Sequence, residues 1–293
     1  KGTWYPVGGM YKIAKAFSDL SVELGVKHIL SDPIINLDIE NNIIKSASSK
    51  SGAIFTSDYF LAGLEYPFVQ TKLLNRKHRS YNSNYWSKKH VAPSALIFYL
   101  GISSKVKNIE HHNLFFDKDF DKHLVEIFDK KVLPSEPLFY VCCPSKTDLS
   151  VVPNKDMENI FILIPIGPGS EDNSTIREQY FDQIINRFED ITKQKIKNNI
   201  VVKESFCVND FISRYNSYKG NAYGLANTLF QSAIFKPKIK DKKIKNLYYT
   251  GHFTVPGPGL PPAIISGKIA SNEILKDIKW KKYTITFNKK HQN

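Results

Sequence analysis

Leu247-Tyr-Tyr-Thr-Gly-His-Phe-Thr-Val-Pro-Gly-Pro-Gly-Leu-Pro-Pro-Ala-Ile-Ile-Ser-Gly-Lys-Ile-Ala-Ser271 is the stretch on which the reading of this chain turns. A short apolar run enters a loop of Gly and Pro, and the loop opens into a helix rich in small residues. Pro261 and Pro262 suit a first helical turn, where backbone N–H groups lack partners in any case. A helix N-terminus behind a glycine loop favours negative charge, through those unpaired donors and the helix dipole. The pattern predicts a site for a phosphate or an electron-rich ring. An ordinary strand–turn–helix connection has the same composition, so the chemistry by itself leaves both readings open.

Working outward, 293 residues suffice for one large domain or two ordinary ones. With 42% hydrophobic and 13% aromatic residues the chain can bury a core, which excludes general disorder. Cys142 and Cys143 are adjacent and Cys207 stands apart, which makes neither a disulfide framework nor a CxxC metal pair. A reducing, cytoplasmic setting is expected. The formal charge of +13 is spread along the chain, with dense patches at Lys236–Lys245 and Lys276–Lys290. It comes without zinc-ligand spacing, a helix-turn-helix signal or an RNA-binding aromatic motif, so nucleic acid is not the expected partner. A peripheral contact with an anionic membrane surface is. No apolar run approaches the roughly 20 residues that span a bilayer. The chain begins at Lys1 without a signal peptide, and is expected to be the downstream part of a longer polypeptide.

Periodicity gives a coarse map. Met10, Ile13, Ala14, Phe17, Leu20 and Leu24 recur at helical spacing, with Gly25 as a stop. Val26–Leu30, Ile34–Ile39, Ile43–Ala47 and Ala53–Thr56 read as short strands between turn signals, and Asp58–Gly63 as another. Residues 68–92 are polar and aromatic, a loop or short helix. Ala95–Leu100, Leu138–Cys142, Ile160–Pro165 and Ile200–Ser205 are strand candidates. Phe120–Phe128 suggests a helix, and Tyr180–Ile191 is a clear amphipathic one. Asn209–Gly224 reads as a loop, with a short helix near Asn227–Phe235.

Several segments in this order resemble the phytoene desaturase family, the bacterial and fungal type of FAD-dependent carotenoid desaturase. They are Trp4-Tyr-Pro-Val-Gly-Gly-Met10, Tyr99-Leu-Gly101, His111-His-Asn113, Leu138-Phe-Tyr-Val-Cys-Cys-Pro144 with Thr147-Asp148, Arg214–Gly220 with Tyr223-Gly224, and the closing motif 247–271. One departure matters: such enzymes carry a GxGxxG dinucleotide fingerprint after a first strand, and these residues hold none. The resemblance therefore implies a mixed α/β fold. Residues 1–67 and 209–280 would form part of an FAD-binding Rossmann-like flavoprotein domain, and 68–208 an inserted substrate-binding domain of sheet plus helices. Residues 281–293 would be a basic tail.

The resemblance also assigns roles. Gly251 and His252 would lie near the pyrophosphate and ribityl chain of FAD, where a missing Cβ permits close approach. Gly257, Gly259, Leu260 and Pro261 would border the flavin ring, and the backbone of Ile34 would meet the adenine. His252 is unusual, since many family members carry a small residue or an acid there. Arg214 and Tyr215 would stand on the return between domains, facing cofactor and substrate; as an alternative, Arg214 serves a structural salt bridge. Ala263, Gly267 and Ala270 form a small-residue stripe read mainly as packing. His111 and His112, adjacent on a strand, are expected to point to opposite faces, so no metal site is expected. Asp148 reads as a turn residue.

The implied activity is desaturation of a long polyene hydrocarbon by hydride transfer to flavin, with the protein orienting the substrate and excluding water. No catalytic base can be nominated. Two alternatives stand beside it: a related isoprenoid or retinoid isomerase or saturase, or a non-catalytic C-terminal remnant. The implied partners are a lipophilic polyene, the membrane surface and the N-terminal part of the same enzyme.

Overall fold

The computed structural model describes residues 4–290, of which 281–290 are described by backbone alone. In chain order the elements are α1 (Tyr11–Glu23), β1 (Ile34–Glu40), β2 (Ile43–Ser49), β3 (Ile54–Phe55), β4 (Phe60–Ala62), α2 (Tyr66–Phe68) and α3 (Ser83–Ser87). Then follow β5 (Ser94–Ile102), β6 (His112–Phe115), α4 (Phe120–Leu124), β7 (Phe139–Cys142), β8 (Glu158–Ile166) and α5 (Ser174–Thr192). The series ends with β9 (Ile200–Phe206), α6 (Val208–Tyr215), β10 (Leu247–Tyr249) and α7 (Leu260–Lys290). They pack as two units, Lys1–Ile29 with Pro93–Phe211, and Leu30–Ala92 with Ile212–Asn293.

The first unit is built on a five-stranded sheet in the order β6-β7-β8-β5-β9, every pair antiparallel. Alternation along β8 turns Ile160, Ile162, Ile164 and Ile166 to one face, where all are buried. Helix α5 covers that face with Phe181, Ile184, Ile185 and Phe188, its side chains recurring at helical spacing. Phe181 meets Phe98 edge-on at 5.3 Å between ring centres, and Phe188 lies 5.6 Å from Phe115. Burying each such side chain contributes about 1.5–3 kcal/mol. Asn173 caps α5 by accepting the Ile176 N–H at 2.9 Å, and Lys193 closes it in the left-handed region. The other face of the sheet carries the partly exposed Tyr99, Tyr140 and Phe161, whose rings touch at 5.5 and 6.2 Å.

The second unit holds the antiparallel meander β1-β2-β3 and a parallel pair, β10 beside β4. Its core gathers Ile44, Tyr66, Trp86, Leu225, Leu247, Tyr249 and Phe253. Tyr66 stacks on Tyr249 at 3.7 Å. Beneath the stack, Gln70 donates to Asp241 (2.9 Å) and Tyr249 (2.6 Å) and accepts the Ser80 and Tyr81 N–H groups. This closed polar network fixes the end of β10 from which the glycine loop departs. Burial, then the Asp241 carboxylate, holds the Tyr249 phenol well above its ordinary pKa, so it stays protonated.

Domain boundaries drawn from sequence fell after residues 67 and 208. In the structure residues 68–92 group with the second unit, where Tyr81 and Trp86 pack against Tyr66. The N-terminal segment groups with the first: Gly8 donates its N–H to Asp148 at 2.6 Å, and the Tyr5 ring meets His111 edge-on at 4.9 Å. Two element assignments need correction. Val26–Leu30 forms no strand: among the described residues it has no ladder partner, and Val26, Ile29 and Leu30 are exposed. Residues 208–215, inside the expected loop, form helix α6, because Val208, Phe211, Ile212 and Tyr215 recur at i, i+3, i+4 and i+7. The tail expected at 281–293 begins inside α7; its side chains and residues 291–293 lie outside the described residues.

Candidate functional site

Strand β10 delivers the chain to Gly251, whose φ of +103° no residue with a Cβ adopts readily. A Cβ built there would meet no heavy atom within 4 Å, so this backbone faces open space. The turn is closed from below by Thr254, whose N–H and hydroxyl both donate to the Gly251 carbonyl at 3.0 and 2.8 Å. Fully buried Ser266, in the second turn of α7, accepts the Gly251 N–H at 2.8 Å and pairs with the Thr250 hydroxyl at 2.7 Å. Helix and loop are thereby locked in register. Gly257 and Gly259, at φ +134° and +114°, complete the turn into the helix. Of the small-residue stripe, Ala270 is buried, Gly267 half-buried and Ala263 exposed.

His252 is held by Glu65, whose Oε2 lies 2.9 Å from Nε2. A carboxylate only accepts, so Nε2 carries the proton, and Nδ1 donates only when the ring is protonated. The carboxylate of Glu65 is itself buried and accepts the Tyr218 N–H and the Asn221 amide, both at 2.8 Å. Gly224 lets this happen. It sits at φ +76°, and a Cβ there would stand 2.8 Å from the His252 ring and 3.2 Å from its backbone. The residues Glu65, Asn221, Gly224 and Ser266 were not named from sequence as site residues, because each acts through a partner distant along the chain. The one signal was Tyr223-Gly224, a glycine without a turn of its own.

Arg214, Tyr215, Gly251 and His252 line one cavity of about 370 Å³, together with Gly63, Glu65 and Thr250. Gly257, Gly259, Leu260 and Pro261 are not part of its lining. Gly257 faces the Lys236 ammonium and Asn227, Gly259 faces Pro262, and Leu260 is exposed. Ile34 lies in another cavity of about 610 Å³, apolar and lined by Pro33, Phe60, Ala62, Phe68 and Leu247. Lys236, read from sequence as part of a surface basic patch, is buried with its Nζ unpartnered, and desolvation lowers its pKa.

In the first unit the two histidines do not diverge as expected. His111 precedes β6 in a bend, so strand alternation does not separate it from His112, and their rings approach to 4.3 Å. Cys142 is the register partner of His112 across β6 and β7, and ligand atoms of all three lie within 4.8 Å of one another. Asp148 is the turn residue the sequence suggested, accepting the Ser150 N–H at 2.9 Å.

With this geometry in view, the architecture matches that of solved oxidoreductases. A Methanosarcina mazei oxidoreductase superposes over 92% of this chain and 55% of its own, with TM-score 0.60 and 12% identity. A redesigned putrescine oxidase superposes over 92% and 53%, with TM-score 0.56 and 10% identity. The fold is thus mixed α/β, the architecture that these two proteins share with the chain.

No protein-family model matches the chain. Curated relatives do. A carotenoid 3,4-desaturase of Haloarcula japonica is 35% identical over 94% of this chain and 56% of its own length. A zeta-carotene-forming phytoene desaturase of Myxococcus xanthus is 26% identical over 94% and 53%. A 4,4'-diapophytoene desaturase of Staphylococcus haemolyticus is 30% identical over 94% and 57%. Along 94% of its length the chain is similar to these carotenoid and phytoene desaturases, and it spans about half the length of the curated relatives it matches.

Proposed function

We propose that this chain is the larger part of an FAD-dependent oxidoreductase that desaturates a long polyene hydrocarbon, phytoene or a related carotenoid. The observation that carries the reading is similarity to carotenoid and phytoene desaturases along 94% of the chain. The loop residues fit one side of a flavin site. Gly251 presents open backbone beside a cavity of about 370 Å³, within the usual size of ligand pockets, and α7 begins just beyond Gly259. The pyrophosphate grip of a GxGxxG turn is not among these residues.

When bound, FAD supplies the hydride acceptor for C–C desaturation. The chain's own residues bind and orient. Gly251 allows close approach of the ribityl–pyrophosphate region, and His252, its Nε2 occupied by Glu65, offers Nδ1 to a phosphate when protonated. Gly257, Gly259, Leu260 and Pro261 border the ring, and the α7 N-terminus favours negative charge developing there. Ile34 serves the adenine end, and Arg214 and Tyr215 stand between cofactor and substrate. The apolar face of Tyr99, Tyr140 and Phe161 suits a hydrocarbon and excludes water.

Among the described residues no helix is long and apolar enough to cross a membrane. A lipophilic substrate has to be drawn from a bilayer, and the exposed lysines suit a peripheral contact with anionic lipid. The test is expression of the full-length gene in cells that accumulate phytoene. Coloured products, and a purified full-length protein that is yellow with FAD, are expected. A protein that stays colourless when supplied with FAD overturns the cofactor assignment, and unchanged phytoene overturns that substrate in favour of another isoprenoid.

A further inference from the structure

We propose that His111, His112 and Cys142 form a binding site for a thiophilic divalent cation of the Zn²⁺ class. The site lies wholly in the first unit, and its argument rests on neither flavin nor carotenoid.

Four observations converge on it. The donor set is two imidazoles and one thiol, the ligands that Zn²⁺ takes in preference to Mg²⁺ or Ca²⁺. Their ligand atoms already lie within 4.8 Å of one another. Around a bound Zn²⁺ such atoms stand roughly 3.4–3.7 Å apart, given metal–ligand bonds of about 2.0–2.3 Å in a tetrahedron, so small side-chain rotations close the gap. The backbone is fixed for the purpose: His112 and Cys142 are opposed in the β6–β7 ladder, and the Cys143 N–H donates to the His111 carbonyl at 2.8 Å.

The third observation is the supporting shell. Metal-bound histidines normally engage their second ring nitrogen with a neighbouring group, which fixes tautomer and ring orientation. Here Nδ1 of His111 is paired with the Thr147 hydroxyl, and Nδ1 of His112 lies 2.5 Å from the Tyr140 hydroxyl. Both Nε2 atoms are thereby left for a ligand. The fourth observation points to that ligand directly: Nε2 of His111 is buried and has no hydrogen-bond partner, a costly state for a polar atom that a cation would relieve. Tyr5 shields the cluster on one side, its ring edge-on to His111, while exposed His112 leaves an approach from solvent.

Three protein ligands leave a fourth position for water. Binding displaces the thiol proton and ties the segment before β6 to β7 at the edge of the sheet.

The experiment uses the full chain after chelator treatment, titrated with Co²⁺ as a spectroscopic probe and with Zn²⁺ against a chelating dye. One equivalent of Co²⁺ is expected to give a thiolate-to-metal charge-transfer band with visible bands of tetrahedral intensity, and Zn²⁺ should abolish them. Cys142→Ser should remove the charge-transfer band. His112→Gln, at an exposed position, should weaken binding by more than the ~10–100-fold that loss of a supporting partner costs. Tyr140→Phe should fall within that lesser range. Circular dichroism of each variant separates loss of ligand from loss of fold. A wild-type titration without the charge-transfer band, or affinity unchanged in both Cys142→Ser and folded His112→Gln, overturns the proposal.

Discussion

The sheet of the first unit and the strand pair of the second solve the same problem differently. Strand β5 is nine residues long and paired on both sides, by β8 and by β9. Its core side chains are sealed under α5 by apolar packing. The parallel pair β10 and β4 has three residues in each strand. Parallel strands ordinarily persist inside larger sheets covered on both faces. Here the pair is held by side chains instead, through Gln70, Asp241 and Tyr249 below and Ser266 above. Hydrophobic burial is diffuse and tolerant, whereas a polar network and tight glycines are specific. The second arrangement is therefore the one that can position a loop to within an ångström, and the one that a single atom can spoil.

Four substitutions would break or sharpen that contrast. The largest loss is expected in the first unit, where Phe98→Ala removes a fully buried ring packed on Phe181. Its cost should be about 3–5 kcal/mol in urea unfolding, with the glycine loop unaffected. Slow hydrogen exchange retained throughout β5 and α5 would show that the sheet is less dependent on its core than stated. Next, Gly224→Ala combines a left-handed backbone with a Cβ 2.8 Å from the His252 ring. A cost of about 1–3 kcal/mol and a displaced His252 imidazole resonance are expected. An unmoved resonance would mean that the Glu65–His252 pair does not need the close approach.

Ser266→Ala should cost less, about 1–2 kcal/mol, by leaving the Gly251 N–H without its acceptor. The check is faster exchange of the Gly251 amide without change in the first unit. The smallest effect concerns Asp148. Hydrogen bonds from the Ser150 side chain, and from the Gly8 and Ser150 backbone N–H groups, hold its carboxyl below the ordinary 3.8. A depressed folded-state pKa means that the stabilisation is fully present above that ordinary value and is lost as pH falls through the lower, folded one. The Gly8 amide should therefore stay protected at neutral pH and lose protection in acid. In Asp148→Asn that pH dependence should vanish, and its persistence would assign the docking of the N-terminal segment to other contacts.

Much of this molecule could be read along the chain. The strands β7 and β8 and the helix α5 follow hydrophobic periodicity, because each buries one face and the period records which; α1 shows the same helical period, yet none of its residues is buried. Val26–Leu30 misled because an apolar run specifies a strand only when a partner is there to pair with it. Helix α6 was hidden by its polar and aromatic residues, although its i, i+3, i+4, i+7 pattern was present. His111 and His112 misled because alternation was applied one residue before the strand begins.

Sequence by itself determined most element types, the resemblance to carotenoid desaturases and the position of the glycine loop, since these depend on neighbours in the chain and on ordered motifs. Only the tertiary structure decided that Glu65 would hold His252, that Ser266 would lock Gly251, and that Cys142 would join His111 and His112. Those pairings join residues 187, 15 and about 30 positions apart. Their partners are chosen by packing in space, and no local propensity records which side chains a fold will bring within hydrogen-bonding or ligand distance.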